Sequence, residues 1–101
     1  MMPTVMLRKV TIVAEALLED RMLRELRALG ARGFTIAEVR GEGSRGIRAS
    51  DWEGRNVRIE TIVAPAVAER ILEHITAHYF EDYAVIAWVD DVGVVRGDKY
   101  A

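Results

Sequence analysis

Residues 40–63 read RGEGSRGIRASDWEGRNVRIETIV, two unlike halves whose junction decides how the rest of the chain is arranged. In the second half Val57, Ile59, Thr61 and Val63 alternate with Asn56, Arg58, Glu60 and Ile62, the two-residue period of a strand with one buried face. The first half interleaves Gly41, Gly43, Gly46 and Gly54 with Arg40, Arg45, Arg48 and Arg55. Such glycines let the backbone take positive φ or approach a ligand closely, and such arginines offer forked donors to phosphate or carboxylate. A long loop therefore feeds directly into a well-defined strand.

Downstream, Pro65 suits the first turn of a helix running to about Tyr79, with Val67, Ile71, Leu72, Ile75 and His78 or Tyr79 as its buried stripe. Tyr83 to Val89 reads as a further apolar strand, and Val92 to Val95 as a small fifth one before the polar residues 96–100. Upstream, Val5 to Val13 is rich in Val, Ile and Thr, a first strand. From Leu17 to Leu29 the period becomes helical, with Leu18, Met22, Leu26 and Leu29 on one side and Gly30 as the expected left-handed cap. Gly33 to Arg40 is the second strand. The order is βαβ, long loop, βαβ, which predicts an α+β, ferredoxin-like βαββαβ sandwich: a four-stranded antiparallel sheet with both helices on one face, as a single domain spanning 1–101.

A sheet covered on one side leaves the other bare. Val5, Met6, Phe34, Ile36, Ile62, Ile86 and Trp88 supply apolar candidates for both faces, so self-association is the economical expectation. The alternative is that the C-terminal tail folds over the sheet and the chain stays monomeric.

The net charge is −2, so no global positive field exists to hold nucleic acid or anionic lipid, and an anion site must be local. The chain has no cysteine, which removes disulfides, thiolate nucleophiles and cysteine-based zinc sites and agrees with a cytoplasmic protein. No transmembrane helix or signal peptide is expected, because charge interrupts every apolar run well short of ~18 residues.

Gly41-Glu42-Gly43-Ser44-Arg45-Gly46 follows a strand, where successive N–H groups can form an anion-binding nest with Ser44 and Arg45 adding donors. An ordinary hairpin with solvated arginines is the other reading of the same residues. The segment is neither a Walker loop nor a dinucleotide fingerprint, since it does not open a helix. His74 and His78 stand one helical turn apart, but no third ligand accompanies them and no metal is expected. Glu81-Asp82 and Asp90-Asp91 are adjacent pairs read as solvated turns and strand ends rather than paired catalytic carboxylates. Trp52 is either an anchor for a partner or a side chain packed back on the protein. No catalytic set is apparent, and an enzyme is not expected.

Gly33-Phe34-Thr35, Glu38 to Gly43, Asn56 to Glu60 and Val89-Asp90-Asp91-Val92 together resemble the PII signal-transduction superfamily, in the right order over almost the whole chain. Gly43-Ser44-Arg45-Gly46-Ile47-Arg48 followed by Trp52 to Arg58 is similar to its PII-like branch tied to bicarbonate uptake, including carboxysome-associated PII and SbtB-like proteins. The resemblance implies a homotrimer with an adenine nucleotide in each cleft between subunits and a long T-loop that responds to ligand. It implies nucleotide contacts from Thr35, Gly41, Gly43, Ser44, Arg45, Gly46, Arg58, Glu60 and Arg96. For bicarbonate, a small anion suited to an arginine fork, the candidates are Arg45, Arg48, Asn56 and Arg58. Ile47, Arg48 and Trp52 would form a tip read by a partner, here a membrane bicarbonate transporter or a carboxysome-linked protein, which would place the chain in the cytoplasm and peripherally at the inner membrane through that transporter. No contact with nucleic acid and no direct membrane insertion are expected.

The chain departs from the family pattern in informative places. His78-Tyr79-Phe80-Glu81-Asp82-Tyr83 stands where the family carries a Gly-x-Gly-Lys phosphate loop, and Val94 replaces the first arginine of the C-terminal clamp. Both favour ADP, AMP or cyclic AMP over ATP. The loop has no tyrosine to accept a nucleotidyl group. Competing readings are an acylphosphatase-like small hydrolase, whose phosphate loop follows the first strand rather than the second, and a CutA-type structural trimer that binds no nucleotide. An RNA-binding module of the RRM type lacks its stacking aromatics on Asn56 to Val63.

Overall fold

The computed structural model describes residues 2–41 and 55–100. Strand β1 (Val5–Glu15) passes through a 3₁₀ turn (Ala16–Leu18) into helix α1 (Glu19–Leu29); β2 (Thr35–Val39), β3 (Asn56–Val63), α2 (Pro65–His78) and β4 (Ile86–Val94) follow. The sheet order is β2-β3-β1-β4 with every described pair antiparallel, the ferredoxin-like arrangement read from the sequence.

Each element forms for a local reason. In β3 the buried positions are Val57, Ile59, Thr61 and Val63, and its bounds coincide with those read from the alternation. Helix α1 buries Met22 and Leu26, with Leu18 buried in the preceding 3₁₀ turn. It stops at Gly30, whose φ of 121° few L-residues adopt, while Ala31 N–H reaches back to the Leu26 carbonyl at 3.0 Å in a Schellman-type closure. Helix α2 begins on Pro65 after an extended Ala64 and buries Ala68, Ile71 and Ile75. Tyr79, not His78, completes that stripe: Tyr79 is fully buried and His78 exposed.

The core lies between the helices and one sheet face. Val10, Ile12 and Ala14 of β1 join Val57, Ile59 and Val63 of β3 under Met22, Leu26, Ala68, Ile71 and Ile75. Thr61 on this face is reconciled with burial by donating its hydroxyl to the Gly33 carbonyl at 2.8 Å.

Two expectations need correction. No separate fifth strand exists among the described residues, because β4 runs unbroken from Ile86 to Val94. Asp90 and Asp91 therefore lie inside a strand rather than at its end. The register explains how: Lys9 stands opposite Asp90, and Arg8 opposite Asp91 with Nε 3.3 Å from Oδ1. Opposite charges on the neighbouring strand carry the aspartates through the sheet.

The second sheet face carries no helix. Cross-strand rows run Thr35, Glu60, Thr11, Trp88 and then Ala37, Arg58, Val13, Ile86. Trp88 and Ile86 are 42% and 58% exposed. At the start of β1 the tail does fold over this face: a Cβ at Gly97 would stand 2.6 Å from Val5 Cβ and 3.4 Å from Leu7 Cδ1, and Leu7 is buried beneath it. Arg32 Nη1 donates to the Lys99 carbonyl at 3.4 Å on the far side. The cover reaches only that end; the rows containing Trp88 and Ile86 remain open.

Candidate functional site

Strand pairing brings the two feet of the glycine-arginine loop together. Val39, the last residue of β2, lies opposite Asn56, the first of β3. Ala16 N–H donates to the Arg55 carbonyl at 3.2 Å, fixing the second foot to the β1–α1 junction. Beside the feet, Arg58 and Glu60 share the open face, with Nε and Oε2 3.5 Å apart, and Thr35 stands opposite Glu60. Asn56, Arg58 and Glu60 thus line one side of β3, with Thr35 opposite Glu60 at one end and Gly41 just beyond the Val39–Asn56 pair at the other. Gly43, Ser44, Arg45, Gly46, Ile47, Arg48 and Trp52 lie outside the described residues.

Arg96 stands apart from the loop feet. It follows β4 beyond Val94, which pairs with Val5, whereas the loop feet stand on the row of Glu15. Ten residues at ~3.3 Å each put the two ends of β1 about 33 Å apart. One chain cannot close Arg96 onto Gly41. Arg96 also holds a left-handed backbone, φ 62° and ψ 34°, the single non-glycine residue with positive φ among those described.

Two polar features carry no local signal in the sequence. Glu15 is 6% exposed, and its Oε2 accepts the Ala84 N–H at 3.2 Å, joining β1 to the segment before β4. That segment is itself closed on Tyr79, whose carbonyl accepts from Tyr83 N–H at 2.9 Å and Asp82 N–H at 3.3 Å. On the helix side of the second foot, Glu19, Asp20, Glu38 and Arg55 line a cleft with Ala16, Leu17 and Val57.

The second feature is a hub around Glu25. Its Oε1 accepts from the Tyr79 hydroxyl at 2.6 Å and lies 2.8 Å from His74 Nε2, while Oε2 accepts from Arg21 Nε at 3.2 Å. The Arg21 guanidinium lies over the Tyr79 ring, 4.8 Å from its centroid. Desolvation alone would raise the Glu25 pKa, but the bonds from Tyr79, His74 and Arg21 outweigh it and hold the carboxyl below its ordinary value. Burial, then the bond to Glu25, pushes the Tyr79 hydroxyl up to about 12. The His74 and His78 rings lie with centroids 4.4 Å apart and a tilt of 41°, but only His74 reaches Glu25, so His74 alone belongs to this hub between the helices. Among the described residues no group of three or more His, Cys, Asp or Glu is placed to hold a metal.

The family model for nitrogen regulatory protein P-II matches residues 7–99. The chain belongs to the P-II family. Within that family its fold is very similar to a Thermus thermophilus structure described as a PII-like signaling protein, at 59% identity over 99% of this chain and 100% of that one, with a TM-score of 0.87. It is also similar in fold to CPII from Thiomonas intermedia K12 in a structure bound to ADP and bicarbonate, at 23% identity over the full length of both chains and a TM-score of 0.87. A CPII structure bound to ADP, AMP and acetate matches at 23% identity over 98% of each chain, TM-score 0.85. The βαββαβ fold and the P-II membership expected from the sequence therefore hold. As a P-II family member the protein is a regulatory, signalling protein, and no helix among its described residues is long and apolar enough to cross a membrane.

Proposed function

We propose that this P-II family member is a sensor of adenine nucleotide, ADP or AMP in preference to ATP, with bicarbonate as second ligand, and that it works as a homotrimer whose clefts lie between subunits. The carrying observation is the separation of Arg96 from Gly41 and Asn56 by the length of β1. If all these residues serve one ligand, a second copy must supply one end of the site. The open rows holding Trp88 and Ile86 offer the surface for that contact. The ligands of CPII, ADP with bicarbonate, are the chemistry for which the Arg58 neighbourhood is suited. The closed segment 79–84 supports the preference for fewer phosphates, because its Ala84 N–H is already taken by Glu15.

In this reading nucleotide phosphate and bicarbonate draw on the same loop arginines, so each orders groups the other needs and their binding is positively coupled. The ordered loop, with Ile47, Arg48 and Trp52 at its tip, is the signal. Its reader is a bicarbonate transporter or a carboxysome-linked protein, met at the cytoplasmic side of the inner membrane.

The test is a thermal-shift panel of AMP, ADP, ATP and cyclic AMP, each with and without bicarbonate, beside equilibrium sedimentation. Ligand at one hundred times its dissociation constant stabilises the fold by ~2.7 kcal/mol. A monomer at micromolar concentration, or no shift with any nucleotide, overturns the reading; the second result favours a CutA-type structural role.

A further inference from the structure

Glu15 is an acidic residue buried where an anion site is proposed. It stands directly opposite Asn56, in the cross-strand row Val39, Asn56, Glu15 that carries both loop feet, near the row of Arg58 and Val13. On its other side it takes the backbone N–H of Ala84 at 3.2 Å. At 6% exposure its charge is poorly screened by solvent. At this end of the sheet the Ala84 N–H is already taken by the Glu15 carboxylate, while Asn56 stands opposite Glu15 and Arg58 two residues further along β3.

We propose that Glu15 sets the charge limit of the nucleotide site: its buried carboxylate offsets the local arginine charge and disfavours each additional phosphate, making it a specificity-determining residue for mono- and diphosphates over triphosphates. This role rests on the nucleotide-sensor reading above. Two local facts reinforce it. On the opposite side of the second foot, Glu19, Asp20 and Glu38 line a cleft with Arg55, leaving that lining net negative as well. The Ala16 to Arg55 hydrogen bond also fixes this foot to the residue after Glu15, so the carboxylate and the loop base keep their relation. Glu15 thereby has two separable roles: a hydrogen-bond acceptor that an amide oxygen can replace, and a charge that it cannot.

The experiment is calorimetric titration of AMP, ADP and ATP into wild type, Glu15→Gln and Glu15→Ala, with melting temperatures alongside. Glu15→Gln keeps an acceptor for Ala84 N–H and removes the charge. It is expected to raise ATP affinity relative to AMP by about tenfold, the scale of one unit charge acting across a few ångströms of protein, with a melting temperature near wild type. Glu15→Ala should shift the ratio in the same direction and melt lower. An unchanged ATP-to-AMP ratio in Glu15→Gln overturns the inference, as does a ratio that moves only in Glu15→Ala, which marks a structural role alone. Wild-type protein gives a readout independent of variant folding: Mg²⁺, which neutralises polyphosphate, should narrow its preference for AMP over ATP, and a preference indifferent to Mg²⁺ counts against the charge mechanism. Absence of any nucleotide binding by wild type defeats the sensor reading itself, an outcome distinct from an unchanged ratio.

Discussion

The two faces of the sheet are built from alternating residues of the same strands, yet they have opposite characters. On the helix side Val10, Ile12, Val57 and Ile59 are dry and fully or almost fully buried. On the other side Lys9, Thr11, Arg58, Glu60, Ile86 and Trp88 mix charge, hydroxyl and exposed apolar surface. Thr11 is the sharpest case: it is 1% exposed, and its hydroxyl has no hydrogen-bond partner among the described residues. One face is finished within a single chain. The other is left open, and Thr35, Arg58 and Glu60 lie on it.

The contrast can be broken experimentally, starting where the effect should be largest. Ile59→Ala, which truncates a fully buried side chain facing Ile12, should cost about 2–5 kcal/mol in denaturant unfolding. Ile86→Ala on the open face should cost less than about 0.5 kcal/mol of subunit stability while weakening association in sedimentation. Equal losses at both positions would mean that the open face is not an assembly surface. Gly97→Ala tests the one end of the open face that the tail covers: with Val5 Cβ 2.6 Å from the new methyl group, a loss of about 1–3 kcal/mol is expected from overpacking. No loss would show that the tail lifts freely.

The Glu25 hub predicts effects of pH that belong to the helix side. Tyr79→Phe removes the donor to Glu25 and should destabilise by about 1–3 kcal/mol near neutrality. Glu25 is lowered from 4.5, so its contribution is present above that value and lost as pH falls through the lower folded-state pKa. Tyr79 is raised from 10 to about 12, so its contribution is complete below pH 10 and lost as pH rises from 10 through about 12. Melting curves against pH should therefore show an acid edge that Glu25→Gln flattens and an alkaline edge that Tyr79→Phe abolishes. Asp91→Ala is also expected to have a small effect. It breaks an exposed Arg8 pair and should cost about 0–1 kcal/mol.

Much of the fold is legible in the sequence because its signals are periodic. The alternation of β3 marks its bounds, and the stripes of α1 and α2 name most of their buried residues. Strand β4 looks divided because Asp90 and Asp91 resemble a turn until Arg8 and Lys9 are known to stand opposite them. The Glu25 hub is invisible for a related reason: its partners His74 and Tyr79 lie 49 and 54 positions away. Of the candidate site, the closeness of the two loop feet follows from strand order, whereas the pairing of Thr35 with Glu60 rests on register. The burial of Glu15 is not legible either, since a glutamate ending a strand is ordinarily solvated.

By itself, then, the sequence determined the element order, the long glycine-arginine loop between the second and third strands, and membership of the P-II family, because these rest on local periods and contiguous motifs. The tertiary structure alone decided that Glu15 is buried against Ala84, that the charged residues of β1 and β4 face one another, and that Arg96 stands a strand's length from the loop feet. Those facts depend on register between distant segments, and register is set by which whole faces can be buried together, a property no single stretch of chain contains.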